Sequence, residues 1–361
     1  MLCKKDDWLK MEKLLEVENL RTYFYTDDGI AKAVDGVDFF LDEGDTLGLV
    51  GESGCGKSIT ALSIMNLVPS PGKIVEGKIY FKGRNLLNLD EEETRKIRGN
   101  EISMIFQDPF TSLNPVFTIG EQIKEAIEVH SSGRACSATK SSKLDHYSSG
   151  PPVCLSQTSG GATKEEIFNK VVELLKLVEM PFPEQYYRYY PHQLSGGMQQ
   201  RAMIAMALSG NPSLLIADEP TTALDVTIQT QIIKLLQRLQ ARLNMSIILV
   251  THNLGIVDEI AKSVIVMYLG RIMEYTSTED LFKNPTHPYT QGLLNAIPGV
   301  HSESKEVPRL YVIPGTIGSP LNLPKACRFY PRCEKRMKIC LQEEPPLREV
   351  ATNHLVRCWL A

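Results

Sequence analysis

The sequence predicts an α/β protein with a mostly parallel sheet, a helical insertion in its middle and a small cysteine-bearing extension at its end. Three observations carry that expectation. Apolar runs of strand length alternate with helical stretches on both sides of the span 97–190. That span itself shows mostly helical spacing. Beyond residue 284 the chain turns Pro-rich and closes with four cysteines. Uninterrupted apolar strands separated by helices are the pattern of a parallel sheet covered on both faces.

Taken in order, residues 1–13 form an N-terminal extension, MLCKKDDWLKMEK, whose charges leave no apolar run for a secretory signal. A cytoplasmic protein is therefore expected. From Leu14 to about Phe81 the runs LLEV, DFFL, TLGLV and KIYF read as short strands separated by turn residues, with a helix from Ser58 to Leu67 after a Gly-rich loop. In 97–190, EQIKEAIEV and EEIFNKVVELLKLVEM are amphipathic; Ile167, Val171, Leu174, Leu175 and Val178 share one face. From Ser213 the alternation resumes: LLIADEP as a strand, TIQTQIIKLLQRLQARL as a helix, SIILVTH as a strand, another helix, then VIVMYLG. Segments 14–96 and 191–283 are thus expected to form one core, with 97–190 as a helical subdomain inserted in it. Within that subdomain 131–162 is rich in Ser, Gly and Pro and poor in aliphatics. It cannot offset the entropy of ordering and is expected to be a disordered insert. The extension 284–361 has too little aliphatic content for a core of its own, and such units usually need a staple.

Composition narrows the function. The chain has 361 residues, with 39 Lys+Arg against 43 Asp+Glu, a net charge of −4, and 43% hydrophobic residues. That is ordinary globular composition, and it argues against a nucleic-acid partner. The longest uncharged stretches, such as 58–72 and 202–217, are broken by Gly, Pro, Asn and Ser, short of the roughly 20 apolar residues of a membrane helix. If transport is involved, another chain supplies the pore. Disulfides are not expected from the eight cysteines in a reducing compartment.

The chemistry is carried by three motifs. Gly51-Glu-Ser53-Gly54-Cys55-Gly56-Lys57-Ser58 is G-x-x-x-x-G-K-S, directly after an apolar run and directly before a helical stretch. In such a loop successive N–H groups, here through Ile59, point at a β-phosphate, Lys57 bridges β- and γ-oxygens, and the Ser58 hydroxyl faces Mg²⁺. Leu214-Leu-Ile-Ala-Asp218-Glu219 is an apolar strand ending in two carboxylates, at the strand edge where α/β sheets place ligands. Asp218 suits the Mg²⁺ shell, and Glu219 suits polarising an attacking water. Leu194-Ser195-Gly196-Gly197-Met-Gln-Gln-Arg opens a second helix whose start offers N–H groups and a hydroxyl to an anion.

In this order the motifs resemble the ATP-binding cassette of ABC transporters, over residues 14 to about 283. The resemblance implies a P-loop NTPase (RecA-like) core with an inserted helical subdomain, binding ATP and Mg²⁺. It also implies that Gln107 is the Q-loop glutamine touching Mg²⁺ or the water, and that His252 is the switch histidine at the γ-phosphate. Phe24, with Tyr25 as runner-up, would stack on adenine; a core aromatic is the alternative. Two cassettes would sandwich two ATP molecules, so Ser195, Gly196, Gly197 and Asp225 would act in trans.

Three further segments, DPFTSLNP, GGMQQRAMIAMAL and ADEPTTALDVTIQTQI, resemble the D-type ATPase subunit of dipeptide/oligopeptide importers, as does the tail NPTHPYT…GLLNAIPG…ACRFYPRC. This implies an ATPase at the cytoplasmic face of the membrane, paired with a homologous F-type ATPase, docked on two membrane permease subunits and served by an extracytoplasmic solute-binding protein. Cys327, Cys333, Cys340 and Cys358 follow C-x5-C-x6-C-x17-C, unlike C-x2-C zinc patterns and ferredoxin runs. By resemblance they hold a [4Fe–4S] cluster; Zn²⁺ and unligated thiols stay open, as does a redox sensor gating the ATPase. Other cargo, nickel first, and a soluble non-transport ATPase are the alternatives. The 131–162 insert departs from the family by lengthening the span from Gln107 to Leu194.

Overall fold

The computed structural model describes residues 13–108, 112–131, 163–222, 224–297, 311–321, 323 and 325–361. Of the insert expected over 131–162, all but Ser131 lies outside the described residues, as do residues 1–12 of the N-terminal extension. The chain divides into two compact units: Met1–Leu89 with Ile216–Glu219 and Asn244–Ala361, and Asp90–Leu215 with Pro220–Leu243.

In the first unit β1 (Lys13–Thr26) and β2 (Gly29–Asp42) form an antiparallel hairpin. LLEV and DFFL, expected as short strands, are pieces of two 14-residue ones. β1 carries on through Asn19, whose φ of 45° falls within a register shift, so the polar interruption bends the strand without ending it. β3 (Thr46–Val50) belongs to another sheet, while β4 (Gly72–Phe81) and β5 (Arg84–Asn85) complete the first in the order β2-β1-β4-β5.

The second unit contains β6 (Ile102–Ile105) and the helices Glu91–Ile97, Ile119–Ser131, Lys164–Leu177, Gly196–Ala207 and Val226–Leu243. Residues 97–190, read as mostly helical, therefore include a strand. The helix Lys164–Leu177 starts at a capping box in which Thr163 and Glu166 satisfy each other's N–H groups. Its expected face, Ile167, Val171, Leu174 and Leu175, is buried, as is Val178 just beyond.

β7 (Leu214–Asp218) brings the chain back to the first unit, followed by β8 (Ser246–Thr251), β9 (Ser263–Tyr268) and β10 (Arg271–Ser277). With β11 (Arg348–Ala351) and β12 (His354–Val356) they are ordered β11-β12-β10-β9-β3-β8-β7. β3 runs parallel to β8 and β9, and every residue of β3 and β8 is buried, which is why these strands read as continuous apolar runs. β10 and β12 extend the sheet antiparallel.

The C-terminal segment has no separate core because it shares this one. Tyr268 of β9, Tyr289 of the helix Pro288–Asn295 and Phe329 pack with ring centroids 4.9–5.3 Å apart, together with Val50, Leu254, Val257 and Ile313. Two aromatics of the segment, Tyr289 and Phe329, do the packing that its missing aliphatics would have done. Polar clamps complete the docking. Glu274, wholly buried on β10, accepts from Thr286 N–H at 2.8 Å, His287 N–H at 2.9 Å and His354 Nε2 at 2.7 Å. Buried Asp35 of β2 pairs with Arg328 and, at 3.3 Å, with Arg271. Among the described residues no helix is long and apolar enough to cross a membrane.

Candidate active site

Loop 51–56 turns the chain from β3 into the helix Lys57–Ile64. Gly56, at the helix N-cap, has φ 107°, and a Cβ there would lie 2.2 Å from the Ala33 carbonyl oxygen. Only glycine fits so close an approach. The loop is pinned by Cys55 N–H donating to Glu52 O at 3.3 Å and Gly270 N–H donating to Cys55 O at 2.8 Å. Burial pushes the Cys55 thiol pKa up, so it serves as an apolar plug. Ser53 and Gly54 form the exposed tip, and Ile59 is half-buried in the helix. Lys57, 4% exposed, donates from Nζ to Gly51 O at 2.7 Å and Glu52 O at 3.0 Å. A buried ammonium beside a helix start, where N–H groups lack intrahelical partners, makes a concavity for phosphate.

Ser58 Oγ donates to Asp218 Oδ1 at 3.0 Å. Asp218 ends β7 and is 5% exposed; burial, then the neighbouring Glu219 charge, raise its pKa against the opposing pull of Ser58 and Lys57. A buried carboxylate beside a hydroxyl is a donor pair suited to a hard divalent cation, whose charge would offset the burial. The next residue, Glu219, sits in a left-handed conformation at φ 46° and donates its N–H to Val250 O at 2.8 Å. That kink directs its side chain to His252, just past β8, with Oε1 3.1 Å from Nδ1. Glu219 is largely buried and His252 mostly exposed. Phe24, opposite Ala31 in the hairpin, is half-buried against Gly72, where a Cβ would lie 2.7 Å from its ring; Tyr25 is more exposed.

The first unit therefore brings together Lys57, Ser58, Asp218, Glu219 and His252. Gln107, Ser195, Gly196, Gly197 and Asp225 stand on the second unit. Gln107 is exposed just beyond β6. Ser195 is exposed at the N-cap of the helix Gly196–Ala207 without capping it through its side chain. Gly197 lies close under the helix Val226–Leu243: a Cβ would meet Ile228 Cγ2 at 2.7 Å. Asp225 accepts the Ile228 N–H at 3.0 Å.

Cys327, Cys333, Cys340 and Cys358 line one pocket with His287, Phe329 and Trp359. Burial, followed by the proximity of the other thiols, pushes Cys327 up to about 11 and also raises Cys333 and Cys358. Four thiols converging on one pocket are a ligand set of the kind that soft metal ions and iron–sulfur clusters take. Among the described residues no three ligating side chains are grouped so as to hold a metal ion, so this is not a preformed single-ion site.

Sequence reasoning passed over Glu52, Tyr289 and Arg332. Glu52 N–H donates to Tyr289 Oη at 3.0 Å, and Arg332 forks onto the Glu52 carboxylate at 2.6 and 3.0 Å. The available signal was weak: Arg328 and Arg332 each adjoin a cysteine in a segment short of core residues.

The family model described as ABC transporter matches residues 34–222, and that described as Oligopeptide/dipeptide transporter, C-terminal region matches 273–340. The chain is 48% identical to the oligopeptide transport ATP-binding protein AppD of Bacillus subtilis, over 97% of each chain. It is 47% identical to the dipeptide transport ATP-binding protein DppD of Lactococcus lactis, over 97% of this chain and 91% of that one. A similar solved structure is the dimeric structure of MJ0796, a bacterial ABC transporter cassette, at TM-score 0.59 and 26% identity, covering 73% of this chain and 98% of that one.

Proposed function

We propose, from the premise that this chain belongs to the ABC transporter ATP-binding family, that it is the ATP-hydrolysing subunit of an importer of dipeptides or oligopeptides. One observation carries the cargo class: the likeness to peptide-transport ATP-binding proteins runs the length of the chain and includes the C-terminal region that a dedicated family model describes.

In the proposed reaction Lys57 neutralises the β- and γ-phosphate oxygens, and N–H groups of 51–59 donate to the phosphates from the helix start. Ser58, Asp218 and Gln107 hold the Mg²⁺. Bound there, the ion supplies charge neutralisation of the phosphates. Glu219 takes the proton of the attacking water, and His252, oriented by Glu219, donates to the γ-phosphate. Phe24 stacks on the adenine. Ser195, Gly196, Gly197 and Asp225 complete the site of a second ATPase subunit, the homologous F-type chain. ATP-driven closure of the pair moves two membrane permease subunits from the cytoplasmic face, with an extracytoplasmic solute-binding protein delivering the peptide. In this reading 14–96 and 191–283 are the nucleotide-binding core and 97–190 the helical subdomain.

Cys327, Cys333, Cys340 and Cys358 are proposed to ligate a [4Fe–4S] cluster, which supplies a cross-link within the C-terminal segment. What supports this reading is that the four cysteines line one pocket. Anaerobically purified chain should contain near-equal iron and sulfide; zinc without sulfide would sink the cluster. The function is tested by isolating the tagged chain from solubilised membranes. It should bring down two permease subunits and a second ATPase, and the complex should hydrolyse ATP faster with peptide-loaded binding protein. A chain recovered alone, or a complex indifferent to peptide, would refute the assignment.

A further inference from the structure

The phosphate loop is gripped from outside by the C-terminal segment. Glu52 is the second residue of G-x-x-x-x-G-K-S, and its three polar groups are all engaged. The N–H donates to Tyr289 Oη at 3.0 Å, the carbonyl accepts from Lys57 Nζ at 3.0 Å, and the carboxylate accepts from Arg332 Nη1 at 2.6 Å and Nη2 at 3.0 Å. Arg332 is itself immobilised. Its side chain is 4% exposed, Nε donates to Pro314 O at 3.0 Å, Nη2 reaches Ile313 O at 3.4 Å, and the guanidinium lies 5.8 Å from the Tyr268 ring centroid. A planar fork with a buried stem fixes its carboxylate in position as well as charge.

The consequence is electrostatic. A carboxylate inside a loop that receives a triphosphate repels it unless it is paired, and in a partly buried site that repulsion is poorly screened. The pairing also anchors the residue whose carbonyl holds Lys57. Arg332 thus reaches the phosphate site through Glu52 on two counts, charge and loop shape.

We propose that Arg332 is a positioning residue of the nucleotide site: by neutralising and anchoring Glu52 it sets the phosphate loop for ATP, which makes the C-terminal segment part of the site. This rests on the reading of 51–58 as an ATP loop. Every group involved belongs to the first unit.

The test is Mg·ATP binding to the purified full-length chain by titration calorimetry, with thermal melts for folding. Arg332→Gln should weaken binding about tenfold, ~1.4 kcal/mol. Arg332→Lys, which keeps the charge and loses the fork, should lose less. Adding Glu52→Gln to Arg332→Gln should recover most of the loss, because the unpaired carboxylate is gone; a merely structural break would deepen with a second change. Should Arg332→Gln not fold, Arg332→Lys and the double variant carry the same comparison. Binding by Arg332→Gln within twofold of native, or a double variant no better than the single one, would overturn the proposal. A native chain that does not bind Mg·ATP would overturn the nucleotide reading as well, so the two failures are told apart.

Discussion

Glu219→Gln separates chemistry from binding at this site. The carboxylate is placed by the backbone: φ of 46°, an N–H bonded to Val250 O, and Oε1 3.1 Å from His252 Nδ1. Glutamine fills the same volume, and its amide still reaches the imidazole, so the kink at the end of β7 survives. What disappears is the proton acceptor. Loss of a general base lowers a rate by roughly 10²–10⁴, or about 2.7–5.4 kcal/mol at 1.36 kcal/mol per decade. Ground-state binding should hold or tighten, because a negative charge beside the phosphates has gone. Steady-state ATP hydrolysis by the assembled transporter, together with the ATP Kd, gives both numbers. Hydrolysis within tenfold of native would refute the role of Glu219, and so would a Kd that weakens in step with kcat.

Two further outcomes follow from the geometry. Gly56→Ala should reduce ATP affinity at least tenfold, because its Cβ would fall 2.2 Å from a backbone oxygen at φ 107°; Gly54→Ala, with open space around it, should cost only about 1 kcal/mol of backbone strain. Equal effects in binding titrations would contradict this loop geometry. Asp35→Asn should destabilise the chain at pH 7 by about 1–3 kcal/mol, because Arg328 and Arg271 lose one carboxylate and keep Glu344. Burial alone would raise the Asp35 pKa, but the Tyr23 hydroxyl, Arg271 and Arg328 together hold it below the usual carboxylate range. A depressed folded-state pKa gives stability that is present above the unfolded value near 4 and lost as pH falls through the folded one. The gap between native and variant melts should close below about pH 4, and a pH-independent gap would argue against the ion pair.

What the sequence reveals tracks sequence distance. The phosphate loop, the strand ending in Asp218-Glu219 and the amphipathic helix Lys164–Leu177 are each specified by residues a few positions apart, and local pattern identifies them. β1 is misread as a short strand because period-2 alternation slips at Asn19, where the register shifts. Arg332 meets Glu52 across 280 positions and Arg328 meets Asp35 across 293, and locally each arginine is marked only by an adjoining cysteine. Glu274 shows the same limit of local pattern. A charged residue in the apolar run of β10 reads as a solvent-facing position, yet it is 0% exposed because three donors from the C-terminal segment converge on it. Pairing of this kind decides where the segment docks, and composition alone could indicate only that it lacked a core.

The central claim, that this chain powers peptide import by hydrolysis at Glu219, is tested most directly by uptake of a labelled dipeptide, with nickel in parallel, in cells whose only copy of the gene encodes the native chain or Glu219→Gln. The account predicts that the variant loses dipeptide uptake and leaves nickel uptake at the native level. Unchanged dipeptide uptake in the variant would contradict it.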